Sequence, residues 1–145
     1  RIWQKTQCLQ MIQTNSRIND VDAFLNHKNR AVHLASAHHD QSIRIFDLHT
    51  GIELHCLTFH SAPVTAICTS SRHHMIVSSS KDNTIVITDT RSKQRVSILK
   101  DKQYVVAAGE LNNKILTHPL DSKRIIAGTA DGKIVVFDIR KNARE

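Results

Sequence analysis

Short apolar runs rich in β-branched residues recur along the chain, each bounded by polar turn residues. "AVHLASA" (31–37), "IRIFD" (43–47) and "IELHCLTF" (52–59) are followed in the same style by "VTAICTS" (64–70), "MIVSSS" (75–80) and "IVITD" (85–89). β-Branched side chains suit a pleated, packed surface, so these runs predict strands. No stretch sustains apolar positions at i, i+3, i+4 and i+7 for three turns, and no amphipathic helix is expected. "HHDQS", "SKDNT" and "ADGK" separate successive runs, and Asp131-Gly132 is a strong hairpin-turn pair. The pattern predicts an all-β meander with four strands per repeat.

One phrase gives the period. "DQSIRIFD" at 40–47 returns as "DNTIVITD" at 82–89 and as "DGKIVVFD" at 131–138. Asp40 to Asp82 is 42 residues and Asp82 to Asp131 is 49, the excess lying around "DKQYVVAAGELNNK". "RIW" at 1–3 matches "RIF" at 44–46, a step of 43. A repeat of this length is the mark of one supersecondary unit that buries its apolar faces against its neighbours.

The repeats resemble the WD-repeat β-propeller family, and the resemblance covers essentially the whole chain. Its best expression is "HSAPVTAICTSSRHHMIVSSSKDNTIVITD" (60–89), which is similar to the family's glycine-histidine start, valine-led strand, serine-rich strand, turn aspartate and final tryptophan-aspartate. The start reads Phe59-His60, and the ends read Phe46-Asp47, Thr88-Asp89 and Phe137-Asp138; Trp3 keeps the indole but is followed by Gln4. In the family a histidine, a serine or threonine, the turn aspartate and the tryptophan form a buried hydrogen-bonded network. Asp40, Asp82 and Asp131 survive here as structural turn aspartates, with His60 and Ser78 as partners in one repeat, and no repeat retains all four members.

The resemblance implies a β-propeller segment of four-stranded antiparallel blades. At about 43 residues per blade, the chain makes roughly three blades and the end of a fourth. The expected divisions are a blade remnant at 1–14 and blades at 15–59, 60–99 and 100–145, the last strand of the final blade incomplete. Three blades do not close a ring. The remaining blades are expected from the same longer chain or from a second chain.

Composition narrows the function classes. Forty per cent apolar and 23 per cent charged residues exclude a disordered chain, and no run of about 18 apolar residues signals a membrane helix. Cys8, Cys56 and Cys68 are widely spaced, which predicts reduced, mostly buried thiols in an intracellular protein, cytoplasmic or nuclear. Ten histidines include the adjacent pairs His38-His39 and His73-His74, but neighbours along a strand point to opposite faces, so no metal set is expected. There is no G-x-S-x-G elbow and no glycine-rich phosphate loop, and the repeated aspartates recur once per blade at a turn. No enzyme and no cofactor are expected.

Charge changes the picture most. Twenty basic against 13 acidic residues give a net charge of +7. In a propeller, the loops joining a blade's first and second strands (a–b) and its third and fourth (c–d) share one end. That end receives Lys5, Lys28, Arg30, Arg72, Arg91, Lys93, Arg95, Lys123, Arg124, Arg140, Lys141 and Arg144, 12 of the 20 cations. The opposite end, of b–c and d–a loops, mixes Arg17, Lys81, Lys100, Lys102 and Lys133 with Asp40, Asp82, Asp101 and Asp131. The first is a candidate electropositive docking face for acidic peptide or RNA phosphate. Base reading is not expected, since few aromatics interleave with the cations. The second resembles the surface propellers offer to peptides, with His38, His39, Ser61, Pro63, Lys81, Lys102 and Tyr104 as candidate contacts. The expected function is a non-catalytic scaffold that docks partner proteins within a larger complex. A subunit of a ribonucleoprotein assembly, or a propeller attached to a catalytic domain elsewhere, are the alternatives.

Overall fold

The computed structural model of the chain describes residues 10–26, 30–71, 73–100, 115–118, 121, 123–129 and 132–139. These residues form strands and turns, with no helix long and apolar enough to cross a membrane. Two sheets are four-stranded and antiparallel. The first runs β1 (Ile18–Leu25), β2 (Val32–His38), β3 (Ile43–Asp47), β4 (Glu53–Leu57), and the second β5 (Val64–Ser70), β6 (Met75–Ser80), β7 (Thr84–Asp89), β8 (Arg95–Lys100), each strand pairing with the next. In the third sheet β9 (Ile115–Thr117), β10 (Arg124–Gly128) and β11 (Ile134–Asp138) repeat the meander. Each sheet is one blade of a partial propeller.

Period-2 alternation stacks the blades. Ala35, Ala37, Ile43 and Ile45 present one face of the first sheet to Val64, Ile67 and Ile76 of the second. Val77, Ile85 and Ile87, on the other face of the second sheet, pack with Leu99 against Ile115, Ile125 and Ala127 of the third. Ile43, Ile45, Ile76 and Ile85 are fully buried, and each contributes roughly 2 kcal/mol of apolar burial. Blade-on-blade packing is thus the main source of stability, because a single sheet cannot cover both of its apolar faces.

The sequence did not mark β1 as a strand, because Asp20 and Asp22 interrupt its apolar positions. Both carboxylates have a structural use. β1 lies beside β5, where Asp20 Oδ2 accepts from Ile67 N at 3.0 Å and Asp22 Oδ2 accepts from Thr69 N at 2.7 Å and Thr69 Oγ1 at 2.9 Å. Asn19 Nδ2 donates to Val64 O at 2.7 Å, and Leu25 N donates to Ser71 Oγ at 2.9 Å. The two carboxylates satisfy strand-edge amides of β5 that would otherwise be left unpaired between blades, and the other two bonds satisfy a β5 carbonyl and a β1 amide.

The thiols divide differently from expectation. Cys68 is buried in the second core, whereas Cys56 is exposed on the edge strand β4. Of the residues singled out from the sequence, Trp3, Lys5, Cys8, Lys28, Arg72, Asp101, Lys102, Tyr104, Asp131, Arg140, Lys141 and Arg144 lie outside the described residues.

Candidate functional site

Backbone hydrogen bonds gather the loops into two ends. His39 N donates to Arg17 O at 2.9 Å and Lys81 N to Pro63 O at 3.0 Å, which ties each b–c turn to the segment leading into the same blade. At the other end, Leu48 N bonds Val32 O, Thr90 N bonds His74 O and Ile139 N bonds Lys123 O, joining each c–d turn to its a–b loop.

At the first end, the turn aspartates organise the b–c hairpins. Asp40 Oδ1 accepts from Ser42 N at 3.2 Å and Ser42 Oγ at 2.5 Å; Asp82 Oδ1 accepts from Thr84 N at 2.9 Å and Thr84 Oγ1 at 2.5 Å. The following residue takes a left-handed backbone in all three hairpins: Gln41 at φ 72°, Asn83 at φ 61° and Gly132 at φ 79°. Asparagine and glycine suit that region and glutamine does not, so the aspartate bonds hold the first turn against a local strain. Asp40 also pairs with Arg44 Nη2 at 2.8 Å, and Arg44 reaches Glu53 at 3.3 Å. Burial would raise the Asp40 carboxyl, but the Ser42 and Arg44 bonds outweigh it and hold the group below its ordinary value.

Around Asp82 three of the four network positions are joined. His60 Nε2 lies 2.9 Å from Ser78 Oγ, and His60 Nδ1 lies 3.1 Å from both Asp82 Oδ2 and Thr84 Oγ1. A neutral ring donating from Nδ1 to Asp82 leaves Nε2 to accept the Ser78 hydroxyl proton. The fourth position, Thr88, is fully buried and its Oγ1 has no partner. Serine, histidine and aspartate in this order invite a nucleophile reading. Ser78 is fully buried and His60 is 5% exposed, so no substrate carbonyl reaches the hydroxyl. Burial holds the His60 ring below its ordinary value despite Asp82. The constellation fastens the d–a segment, and Asp82 Oδ2 extends it by accepting from Ser61 N at 2.9 Å.

His38 departs from expectation. It was a candidate surface contact, but it is fully buried, with Nε2 2.7 Å from Ser36 Oγ. Strand alternation turns its ring inward and leaves His39 outside. Of the described candidate contacts at this end, His39, Ser61 and Lys81 are exposed and Pro63 is half-buried.

At the second end the structure places Arg30, Arg91, Arg95, Lys123 and Arg124 on the surface and Lys93 half-buried. Arg91 pairs with Asp89 and Arg124 with Asp121, both at 3.3 Å and both exposed. Such pairs contribute little and leave the cations accessible. Asp47 and Asp89 hold the c–d turns: Asp47 Oδ1 accepts from His49 N and Thr50 N, and Asp89 Oδ1 from Arg91 N and Ser92 N. Sequence reasoning did not place His33 or His55, which share the face of the first blade that packs on the second. Their signal was position: both fall on the face that alternation assigns to blade packing. Among the described residues no three histidine, cysteine, aspartate or glutamate side chains converge as a metal set.

Comparison with known proteins agrees with this architecture. Residues 4–144 match the β-propeller family described as Nucleolar protein 10-like, N-terminal domain. Protein tipD of Dictyostelium discoideum is 30% identical over 142 residues, 95% of this chain and 22% of that protein. Autophagy-related protein 16 of Arabidopsis thaliana is 29% identical over 106 residues, 73% of this chain and 20% of that protein. Set1 complex component swd2 of Schizosaccharomyces pombe is 32% identical over 100 residues, 69% of this chain and 28% of that protein. The chain thus spans less than a third of each of these relatives. With its WD-type repeats, stacked four-stranded blades and a family match over nearly its full length, the chain belongs to the Nucleolar protein 10-like N-terminal domain family of β-propellers.

Proposed function

We propose that this chain is part of a non-catalytic scaffold that docks protein partners on its loop ends, inside a larger assembly. The observation that carries the reading is the way both ends are built. Rigid, core-packed blades hold turns whose backbones are pinned by aspartates, while His39, Ser61, Lys81, Arg30, Arg95 and Lys123 remain exposed. Loops positioned by a scaffold present recognition groups at low entropic cost. Support comes from relatives in WD-repeat proteins, one of which is named a component of the Set1 complex. Lys102 and Tyr104 belong to the same proposed peptide-facing surface, and Lys28, Arg72, Arg140 and Lys141 to the basic face. The reading places the protein inside the cell.

A net charge of +7 favours a second reading, in which the basic end contacts RNA phosphates in a ribonucleoprotein assembly. Co-purification of the full-length protein's assembly across a salt series separates the two. Docking of a protein on the b–c end predicts capture that resists salt and is lost in His39→Ala/Lys81→Glu. Phosphate contact predicts steep loss with salt and abolition by Arg91→Glu/Arg95→Glu. An assembly that survives both sets of changes contradicts loop-end docking.

A further inference from the structure

The outer wall of the second blade differs from that of the first. β4 and β8 each end a sheet, so each shows one row of backbone groups with no neighbouring strand among the described residues. No hydrogen bond outside the β7 ladder reaches Arg95–Lys100 among the described residues. The c–d turn that leads into β8 is firmly built. Asp89 Oδ1 accepts from Arg91 N at 2.6 Å and Ser92 N at 3.0 Å, and Lys93 reverses the chain at φ 59°. The edge is therefore a fixed template of the kind an added strand needs.

Its side chains make this edge apolar in the middle and basic at both ends. Leu99 lies across from Ile85 and enters the core shared with the third blade. Ile98, one position away, lies across from Val86 on the opposite face and is 41% exposed. Val96 is passed over by the pairing, since Ser97 faces Ile87 and Arg95 faces Thr88, and this bulge leaves it 65% exposed. Arg95 and Lys100 stand exposed at the two ends, about 17 Å apart at the rise of a strand. Neither pairs with a carboxylate among the described residues.

The carboxylates of the adjoining turns are committed elsewhere. Asp82, in the b–c turn before Lys100's cross-strand partner Thr84, serves His60, Ser61 and Thr84. Asp89 serves the c–d turn and Arg91. β8 itself carries no acid, so its rim holds standing positive charge. β4 differs, because Glu53, tied to Arg44 at 3.3 Å, would repel what β8 attracts. A second copy of the chain does not fit. Antiparallel pairing of two β8 edges sets Arg95 against Lys100, and parallel pairing sets each cation beside its twin. The strand that matches has acids at its ends and apolar residues between them.

We propose that the outer edge of β8 takes up an extended acidic–apolar segment of a partner protein as a fifth strand of the second blade, with carboxylates against Arg95 and Lys100 and apolar side chains beside Val96 and Ile98. Main-chain hydrogen bonds supply the affinity of such an addition, and the alternating side chains supply its specificity. A nucleic acid offers no peptide N–H and C=O groups to complete the ladder and leaves Val96 and Ile98 uncovered. The proposal rests on the protein-docking reading and gives it a chemistry: one strand that runs along the blade wall from the basic end to the b–c end.

Fluorescence anisotropy of the labelled, end-capped peptide Glu-Thr-Val-Thr-Val-Glu against the full-length protein tests it. Val96→Thr/Ile98→Thr keeps β-branched side chains and should weaken binding about tenfold. Arg95→Gln/Lys100→Gln should do the same and flatten the salt dependence. Two further peptides carry N-methyl groups on alternate amides. The one methylated on the amides that face β8 should lose about tenfold in affinity, and the one methylated on the others should bind like the parent. This pair requires no change in the protein, so it decides even where a variant fails to fold. Absence of saturable binding, binding unchanged in Val96→Thr/Ile98→Thr, or equal binding of the two methylated peptides overturns the site. Oligouridylate that displaces the peptide and binds more tightly overturns the protein occupant. If the peptide ignores the β8 variants while the native assembly is lost in His39→Ala/Lys81→Glu, the edge fails and loop-end docking stands. If the β8 variants release the peptide while the native assembly survives every loop variant, the edge stands and loop-end docking fails.

Discussion

Ser36 Oγ and His38 Nε2 lie 2.7 Å apart, two residues from each other along one strand. In the second blade the matching serine, Ser78, bonds His60, which comes from the d–a segment 18 residues earlier. The two blades thus place a buried histidine against the same serine from opposite directions. In the first, the strand supplies its own histidine, and Ser16 Oγ instead accepts from Asp40 N at 3.2 Å to hold the incoming segment. The network is conserved in chemistry and exchanged in connectivity.

This difference predicts unequal dependence on the two aspartates. Asp82 is 10% exposed and serves His60, Ser61 and Thr84, whereas Asp40 is 39% exposed and serves its own turn and Arg44. Asp82→Ala removes the partly buried acceptor shared by His60, Ser61 and Thr84 and should cost about 3 kcal/mol, while Asp40→Ala should cost about 1 kcal/mol. Chemical denaturation of the two variants measures the gap.

Stability should fall on mild acidification. Burial holds His60 below its ordinary value of 6.5, and burial with Arg44 does the same for His38. Since each folded-state value lies below the unfolded one, the unfolded chain takes up protons first. The contribution is intact above pH 6.5 and is lost as pH falls through the folded values. Asp40 and Asp82, held below 3.8, add a second loss in stronger acid. Unfolding free energy measured against pH should show both steps, and His60→Gln should shrink the first.

Thr88→Val should stabilise the fold by about 1 kcal/mol, because it removes an unpaired buried hydroxyl at nearly constant shape. Lys93→Gly should act in the same direction by about 1 kcal/mol, relieving the left-handed backbone. Thermal unfolding of both variants checks these signs.

The inter-blade carboxylates make a local prediction. Asp22→Ala leaves Thr69 N without its acceptor, while Thr69 Oγ1 keeps Ala23 O at 3.0 Å, and should cost about 2 kcal/mol. Hydrogen exchange should quicken at Thr69 more than at core amides such as Val77, whereas Asp22→Asn, which retains an acceptor oxygen, should restore most of the protection.

Much of this was legible in the sequence, and the reasons differ from residue to residue. The first three strands of the second blade follow from apolar runs rich in β-branched residues, and the period follows from Asp40, Asp82 and Asp131. β1 was illegible because Asp20 and Asp22 satisfy amides of another blade, and strand periodicity carries no record of contacts between sheets. His38 was misplaced on the surface because its exposure depends on strand parity at a turn, where one residue decides which ring faces inward. His33 and His55 went unplaced because only the register of β2, β3 and β4 brings them to one face of the first blade.

The central claim is that the loop ends, carried on rigid blades, are where this protein meets its partners. Amide hydrogen exchange on the full-length protein, alone and within its purified native assembly, tests it most directly. The account predicts new protection at residues 39–42, 60–63 and 81–83 or at the loops of the basic end, with strand amides of β6 and β7 unchanged. An assembly that leaves every one of these loops as exchangeable as in the free protein would contradict it.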